Sequence, residues 1–219
     1  MNDAWIWLGL LAVAFGRAVW AIPLACVLYP WIDERFIIGF PLAWVVRCLD
    51  RREPFIDARA SVALWLLPYV GLRFWLNRNP AGDHVTADFL RTVLSINIGL
   101  AQFVPLGWWM GLRTGWVLVA CAVWLAPAGR RVPAAGVLLA TLVVSWLLAS
   151  DLSRSAAIAL PLVLLGCFAL AQKFSLHTPG ALLVLGLTSL LVPAAHVSYT
   201  KIDLISPLPL EIIRLLRWL

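Results

Sequence analysis

The chain has 219 residues, of which 63% are hydrophobic and only 13% are charged. A soluble domain carries roughly 45–50% apolar and about 25% charged residues, so this composition excludes a single water-soluble core. The net charge of +6 is spread over loop ends, which is typical of residues that anchor membrane helices and not of nucleic-acid binding. The apolar residues form continuous blocks between short charged turns. This pattern predicts an all-α, polytopic membrane helix bundle and argues against a barrel of alternating strands.

Eight apolar blocks follow one another along the chain. A span needs about 20 residues, so most blocks predict one span each and the chain is expected to cross the bilayer seven or eight times. The short block 36–48, with Gly39 and Pro41, is either a short span, which we favour, or a re-entrant or interfacial piece. The blocks cover residues 4–29, 36–48, 60–76, 89–112, 114–128, 132–150, 155–172 and 180–200.

Arg17 lies in the middle of the first block, which lacks the basic start of a cleavable signal and is read as a retained span. A charged group at the bilayer centre costs roughly 2.5–3.5 kcal/mol, and none of the eleven acids lies deep inside a block. Two interpretations stay open. Arg17 reaches an interface or pairs within the protein, or it binds an anionic substrate in a cavity shared with Asn97 and Gln102.

Small residues recur at four-residue spacing in the segment 90–116, with Phe103 at the one large position of the pattern. Such spacing lets a second helix approach closely and predicts a helix-packing face, which other membrane subunits or a second copy of the chain could also use. The residues on this face are Ser95, Gly99, Gly107, Gly111 and Gly115.

The loop 77–89 contains Asp83 and His84, with Asp88 four residues after the histidine. A histidine beside carboxylates can act as a general acid and base, so the three are candidate catalytic residues. Turn formation and helix capping explain the same segment without catalysis. His196, near the end of the last block, is either a proton relay or a structural residue. No metal site and no cofactor is expected, because the four cysteines form no CxxC pair and no nucleotide-binding motif is present.

Residues 1–203 are predicted to form the bundle and residues 204–219 an amphipathic tail. After Pro207 and Pro209 the tail predicts a short helix that lies in the membrane interface or packs on the bundle. The excess of positive charge predicts that the 47–59 loop and the tail are cytoplasmic, on the same side as Arg113 and Arg154. The other side is then predicted to hold Arg78, Arg91, Arg130, Arg131 and Lys173.

Three functions remain open. The first is an inner-membrane component of bacterial transport or export that handles an anionic or lipid-linked substrate. The second is a non-catalytic assembly subunit of an envelope complex. The third is an integral-membrane transferase or hydrolase that uses the Asp83/His84/Asp88 loop. The sequence favours a protein that is not an enzyme, because no catalytic motif is present.

Overall fold

The computed structural model describes residues 3–55, 58–76, 85–99, 101–148, 151–174, 178–197 and 202–217. These residues are mostly helical. The helices are α1 (Asp3–Phe15), α2 (Ala21–Ile32), α3 (Arg35–Asp50), α4 (Leu67–Leu76), α5 (Val85–Gly99), α6 (Val104–Leu112), α7 (Gly115–Leu125), α8 (Ala128–Leu148), α9 (Leu152–Ala156), α10 (Leu160–Lys173), α11 (Thr178–Leu191) and α12 (Leu208–Leu216). Short 3-10 segments cover Ala58–Leu66, Ala101–Phe103 and Ala157–Ala159.

The first apolar block is not one span but a hairpin of two short helices. α1 ends at Phe15, the chain turns over residues 16–20, and α2 runs back so that Gly9 of α1 faces the ring of Tyr29. Thirteen residues of α1 rise only about 20 Å, short of the roughly 30 Å of a hydrocarbon core. The prediction of a single span over 4–29 is therefore wrong, because continuous apolarity in a sequence does not require a continuous helix.

α3 runs parallel to α1 and carries much of the core. Near its start Gly39 faces Leu10 of α1, and near its end the side chain of Arg47 reaches the end of α1 at Gly16. Phe36 and Leu42 of α3 are fully buried, and Leu162 of α10 is buried in the same cluster. The block 36–48 therefore forms one continuous helix that is longer than the block itself, Arg35–Asp50.

Two interrupted helices lie side by side in the second half of the bundle. α6 and then α7 run parallel to α9 and then α10, since Gly107 faces Leu152 and Gly166 faces Leu118. The pair formed by α6 and α7 breaks at Arg113, whose φ of 47° lies outside the range of a right-handed α-helix. The second pair is interrupted by the 3-10 segment Ala157–Ala159. The two breaks lie beside each other.

Few of the described helices are long enough to cross a bilayer. Ala128–Leu148 and Leu152–Lys173 are long and apolar enough, and a bent pair, Arg91–Gly99 with Ala101–Leu112, would make a third. The prediction of seven or eight spans is therefore not supported by the described residues. The other blocks are interrupted by turns or form helices shorter than a bilayer needs.

A two-stranded antiparallel hairpin also departs from the all-α prediction. β1 (Ala194–Val197) pairs with β2 (Ile202–Ile205), and His196 lies opposite Asp203. β1 packs through Val197 on Val104 of α6 and Leu152 of α9. The block 180–200 is therefore not one span, because α11 ends at Leu191.

The tail contains the predicted short helix, α12, which begins directly after Pro207. Glu211 and Arg214 form an ion pair with 2.9 Å between Oε1 and Nη1 on its polar edge. Its apolar side chains from Leu210 to Leu216 are exposed. They do not pack into the core of the described bundle.

Candidate functional site

Charged side chains gather at the two ends of the bundle. The cationic end lies where α3, α7 and α10 finish and α8 begins. It carries Arg17, Arg47, Arg51, Arg52, Arg130, Arg131 and Lys173, with the acids Asp50 and Glu53. The ion-pair end lies where α1, α3 and α9 begin. It carries Asp3, Asp33, Arg35, Asp151, Arg154 and His196.

Arginines at the cationic end hydrogen-bond to carbonyl groups at the end of α1. Arg47 is 8% exposed, and its Nη1 donates to the carbonyl oxygens of Val13 at 3.1 Å and Gly16 at 2.8 Å. Arg51 donates through Nη2 to the same oxygen of Gly16 at 2.8 Å. The last carbonyls of a helix have no partner within it and carry partial negative charge, so two guanidinium groups stabilise this end. This pairing allows α1 to end inside the protein.

The same arrangement recurs at three further helix ends. Arg130 donates to the carbonyl oxygens of Cys48 at 2.9 Å and Arg52 at 3.0 Å, at the end of α3. Arg131 donates from Nε to Ala126, at the end of α7, at 2.9 Å. At the break between α6 and α7, Arg113 donates to Ser189 of α11. Arginine is suited to this role because its planar group offers several donors and stays charged.

A cleft of about 260 Å³ opens at the cationic end between α3, α7 and α10. Arg52, Asp50 and Gln172 provide its polar groups, while Leu165 and Phe168 lie among its apolar lining residues. Arg52 has a φ of 58° and an exposed side chain. The cleft therefore offers one guanidinium and one amide above an apolar wall, with one carboxylate beside them.

At the ion-pair end, Asp3 links three helices. Its carboxylate accepts from Nε and Nη2 of Arg154 at 2.8 and 3.0 Å, and from Nη2 of Arg35 at 2.8 Å. Arg35 also pairs with Asp33 at 2.7 Å. Burial alone would raise the pKa of Asp3, but the hydrogen bonds and charges of the two arginines outweigh burial and lower it. This cluster fastens the start of α1 to the starts of α3 and α9.

His196 and Ser153 lie beside Asp151 in the same cluster. The Nε2 of His196 is 3.4 Å from Oδ2 of Asp151, and the Ser153 hydroxyl donates to Oδ1 at 3.1 Å. A serine nucleophile requires a hydrogen bond to its base, whereas this serine is bonded to the carboxylate and to the backbone N–H of Val197. The arrangement thus anchors β1 to α9. Within the described ranges no group of three or more His, Cys, Asp or Glu side chains is placed to hold a metal ion.

The structure does not bring the predicted substrate-binding residues together. Arg17 is exposed on the turn between α1 and α2, beside the cationic end. Asn97 is buried near the other end of α8, where its Nδ2 donates to the Leu147 carbonyl at 3.1 Å, and Gln102 is exposed. Arg130, at the cationic end, and Leu147, beside Asn97, are separated by a helical rise of about 25 Å along α8. A shared Arg17–Asn97–Gln102 cavity is thus absent from the described structure.

Part of the small-residue face contacts another helix of the chain, and part of it faces open space. A methyl group added at Gly107 would lie 2.5 Å from Cβ of Leu152, and one at Gly111 would lie 2.6 Å from Cβ of Ala156. Gly115 faces Val163 at 3.6 Å, Gly99 has nothing within 4 Å among the described residues, and Ser95 bonds back to Thr92. Gly107 and Gly111 therefore pack on α9 of the same chain.

The last residues of the candidate catalytic loop 77–89 belong to α5. Asp83 and His84 lie outside the described residues, and Asp88 is described only by its place in α5.

The predicted sidedness of several arginines requires correction. Arg130 bonds to the end of α3, so it lies at the same end as Arg52, although charge counting placed the two on opposite sides. Arg131 and Lys173 belong to that end as well, while Arg154 lies at the opposite end with Asp3. The prediction failed because it counted every apolar block as one crossing. The sequence did not predict that the buried Arg47, at the end of its apolar block, caps α1. This role depends on the position of α1 beside α3, which no local sequence pattern shows.

The chain matches no family model, no curated protein and no solved structure.

Proposed function

We propose that the protein is a multi-pass inner-membrane component of a transport or export process that handles an anionic or lipid-linked substrate. The observation that carries this proposal is the cleft at the cationic end, which Arg52, Gln172 and Asp50 line together with apolar side chains such as Leu165 and Phe168. A guanidinium suits a phosphate or carboxylate, and the apolar wall suits a hydrocarbon part. The substrate class is therefore an amphiphile with an anionic group.

The sidedness of the charges supports uptake from the cytoplasmic leaflet. Among the side chains that the structure describes, the cationic end carries seven bases and two acids, whereas the basic residues of the ion-pair end are matched by neighbouring carboxylates. By the positive-inside rule the cationic end faces the cytoplasm. The cleft would then open towards the cytoplasmic headgroup layer.

The two alternatives have less support. Gly107 and Gly111 of the small-residue face pack on α9 of the same chain, so this part of the face does not offer a surface for another subunit. The enzyme hypothesis rests on Asp83 and His84, which lie outside the described residues.

Transfer of a labelled lipid across vesicle membranes tests the proposal. The protein is reconstituted into vesicles that contain phosphatidylglycerol with a fluorescent acyl chain, and dithionite quenching measures its movement between leaflets. We expect faster transfer than in protein-free vesicles and than for labelled phosphatidylcholine. Arg52→Asn should lower the rate, since asparagine tolerates the positive φ but lacks the charge. Arg17→Asn is the matched control. Rates equal to those of protein-free vesicles would contradict the proposal.

A further inference from the structure

A polar depression lies on the outer side of the cationic end, where α7 finishes beside α8 and α10. Its volume is about 290 Å³, and Arg131, Lys173 and Gln172 line it together with Trp124, Leu125 and Ala169. Nε of Arg131 donates to Ala126, and its guanidinium lies 5.4 Å from the ring centroid of Trp124. Lys173 is exposed and lies over the Phe174 ring. No carboxylate lines this depression among the described residues, so two cations face it unopposed.

Two apolar grooves lead from this depression, one on each side of α7. The groove between α7 and α8, about 550 Å³, starts at Arg131 and continues along Val123, Val119 and Trp116. The groove between α7 and α10, about 420 Å³, starts at Lys173 and continues along Cys121 and Val117. Trp124 lines the depression and both grooves, and Ala120 lines both grooves. One polar site thus has two apolar branches.

The grooves have the depth of one membrane leaflet. α7 has 11 residues and rises about 16 Å from its break at Arg113 to the cationic end. Half of a hydrocarbon core about 30 Å thick is about 15 Å. The depression then lies at headgroup level and the grooves face acyl chains.

We propose that α7 carries a binding site for a two-chain anionic phospholipid, with the phosphate between Arg131 and Lys173 and one acyl chain in each groove. Two cations without a facing acid favour a negative headgroup over a zwitterionic one. Two grooves that meet at one polar site fit two chains joined at one headgroup. The site goes beyond the proposed function, because it is centred on Arg131 and Lys173 and not on Arg52, and because it does not require that anything be transported. The two sites share the lining residues Leu125, Ala169 and Gln172.

Lipid retention by the purified full-length protein tests this site. Equal amounts of phosphatidylglycerol and phosphatidylcholine are added in detergent, and native mass spectrometry counts the lipids that stay bound. We expect a preference of about tenfold for phosphatidylglycerol, from the attraction of two surface cations. Arg131→Gln with Lys173→Gln should reduce this preference to the part that the cleft of Arg52 contributes, while Arg17→Gln, a cation at the same end outside the depression, should keep it in full.

A second pair of variants tests the grooves while leaving every charge in place. Ala120→Trp fills both grooves and should reduce retention of phosphatidylglycerol as much as Arg131→Gln with Lys173→Gln does. Ala140→Trp, on an exposed position of α8 outside the grooves, should leave it unchanged. Equal retention of the two lipids by the wild type would overturn the proposal, because the headgroup would not be recognised. The proposal would also be overturned if inorganic phosphate alone raised the thermal midpoint of the protein and still raised it in Ala120→Trp. That result would indicate a site for a free anion and not for a lipid.

The variant Arg52→Asn separates this proposal from the proposed function. It should slow lipid transfer and leave unchanged the share of phosphatidylglycerol retention that depends on Arg131 and Lys173. Loss of retention in Arg52→Asn together with intact retention in Arg131→Gln with Lys173→Gln would place the lipid in the cleft and overturn the site on α7.

Discussion

Arg47 of α3 donates a hydrogen bond to the backbone oxygen of Gly16, at 2.8 Å, where α1 ends. A second bond from the same nitrogen reaches Val13 at 3.1 Å. The helix end is buried, and the buried guanidinium supplies donors that water would supply elsewhere. The arginine within the first apolar block, Arg17, plays no such part and is exposed on the turn that follows.

Arg47→Met should destabilise the protein by about 2 kcal/mol, because hydrogen bonds from a charged donor are lost and carbonyl groups stay buried. The measurement is the thermal midpoint in detergent. Arg17→Met is the matched control and should change stability by less than about 0.5 kcal/mol, as for other exposed positions. Equal midpoints for the two variants would show that Arg47 does not stabilise α1.

Leucine at Gly107 or Gly111 should weaken the contact between α6 and α9 by about 1–3 kcal/mol, the usual cost of overpacking. Cβ of the new side chain would lie about 2.5 Å from Leu152 or Ala156, so the helices must separate. Gly99→Leu belongs to the same four-residue pattern but meets nothing within 4 Å among the described residues. Wild-type thermal stability for all three variants would contradict the contact.

The ion pairs of Asp3 predict a pH dependence. Because the pKa of Asp3 is lowered on folding, its stabilisation is fully present above about pH 4 and is lost as the pH falls through the lowered pKa. Asp3→Asn should cost about 1 kcal/mol at pH 7, a small value because Arg154 is partly exposed and screened by solvent. The difference in thermal midpoint between wild type and variant should be smaller at pH 3 than at pH 7. A constant difference would mean that the loss is one of packing and not of charge.

Some of this structure could be predicted from the sequence. Apolar blocks predicted a helical bundle, and the spacing of Gly107 and Gly111 predicted a close contact between helices, a local pattern that needs no knowledge of the partner. The prolines at 207 and 209 predicted the start of α12. These features depend on residues close together in the chain, where local geometry decides.

The remaining features depend on partners far apart in the chain. The first block breaks at Gly16 and Arg17, and the break is stabilised by Arg47, thirty-one residues from Gly16. Arg130 bonds to Cys48 across 82 positions, so counting blocks could not place it. β1 falls within the predicted block 180–200, because its four residues, Ala194–Val197, are apolar enough to continue the apolar run of α11.

Four of the arginines that donate to helix ends gather at one end of the bundle, and the ion pairs of Asp3 lie at the other end; the four are Arg47, Arg51, Arg130 and Arg131. Single cysteines at positions 52, 154 and 173, in a background without the four native cysteines, can be labelled in intact cells and in inverted vesicles with a reagent that does not cross membranes. The structure predicts that positions 52 and 173 react from the same side and position 154 from the other. Labelling of positions 52 and 154 from one side, with position 173 opposite, would restore the arrangement expected from the sequence alone and contradict this fold.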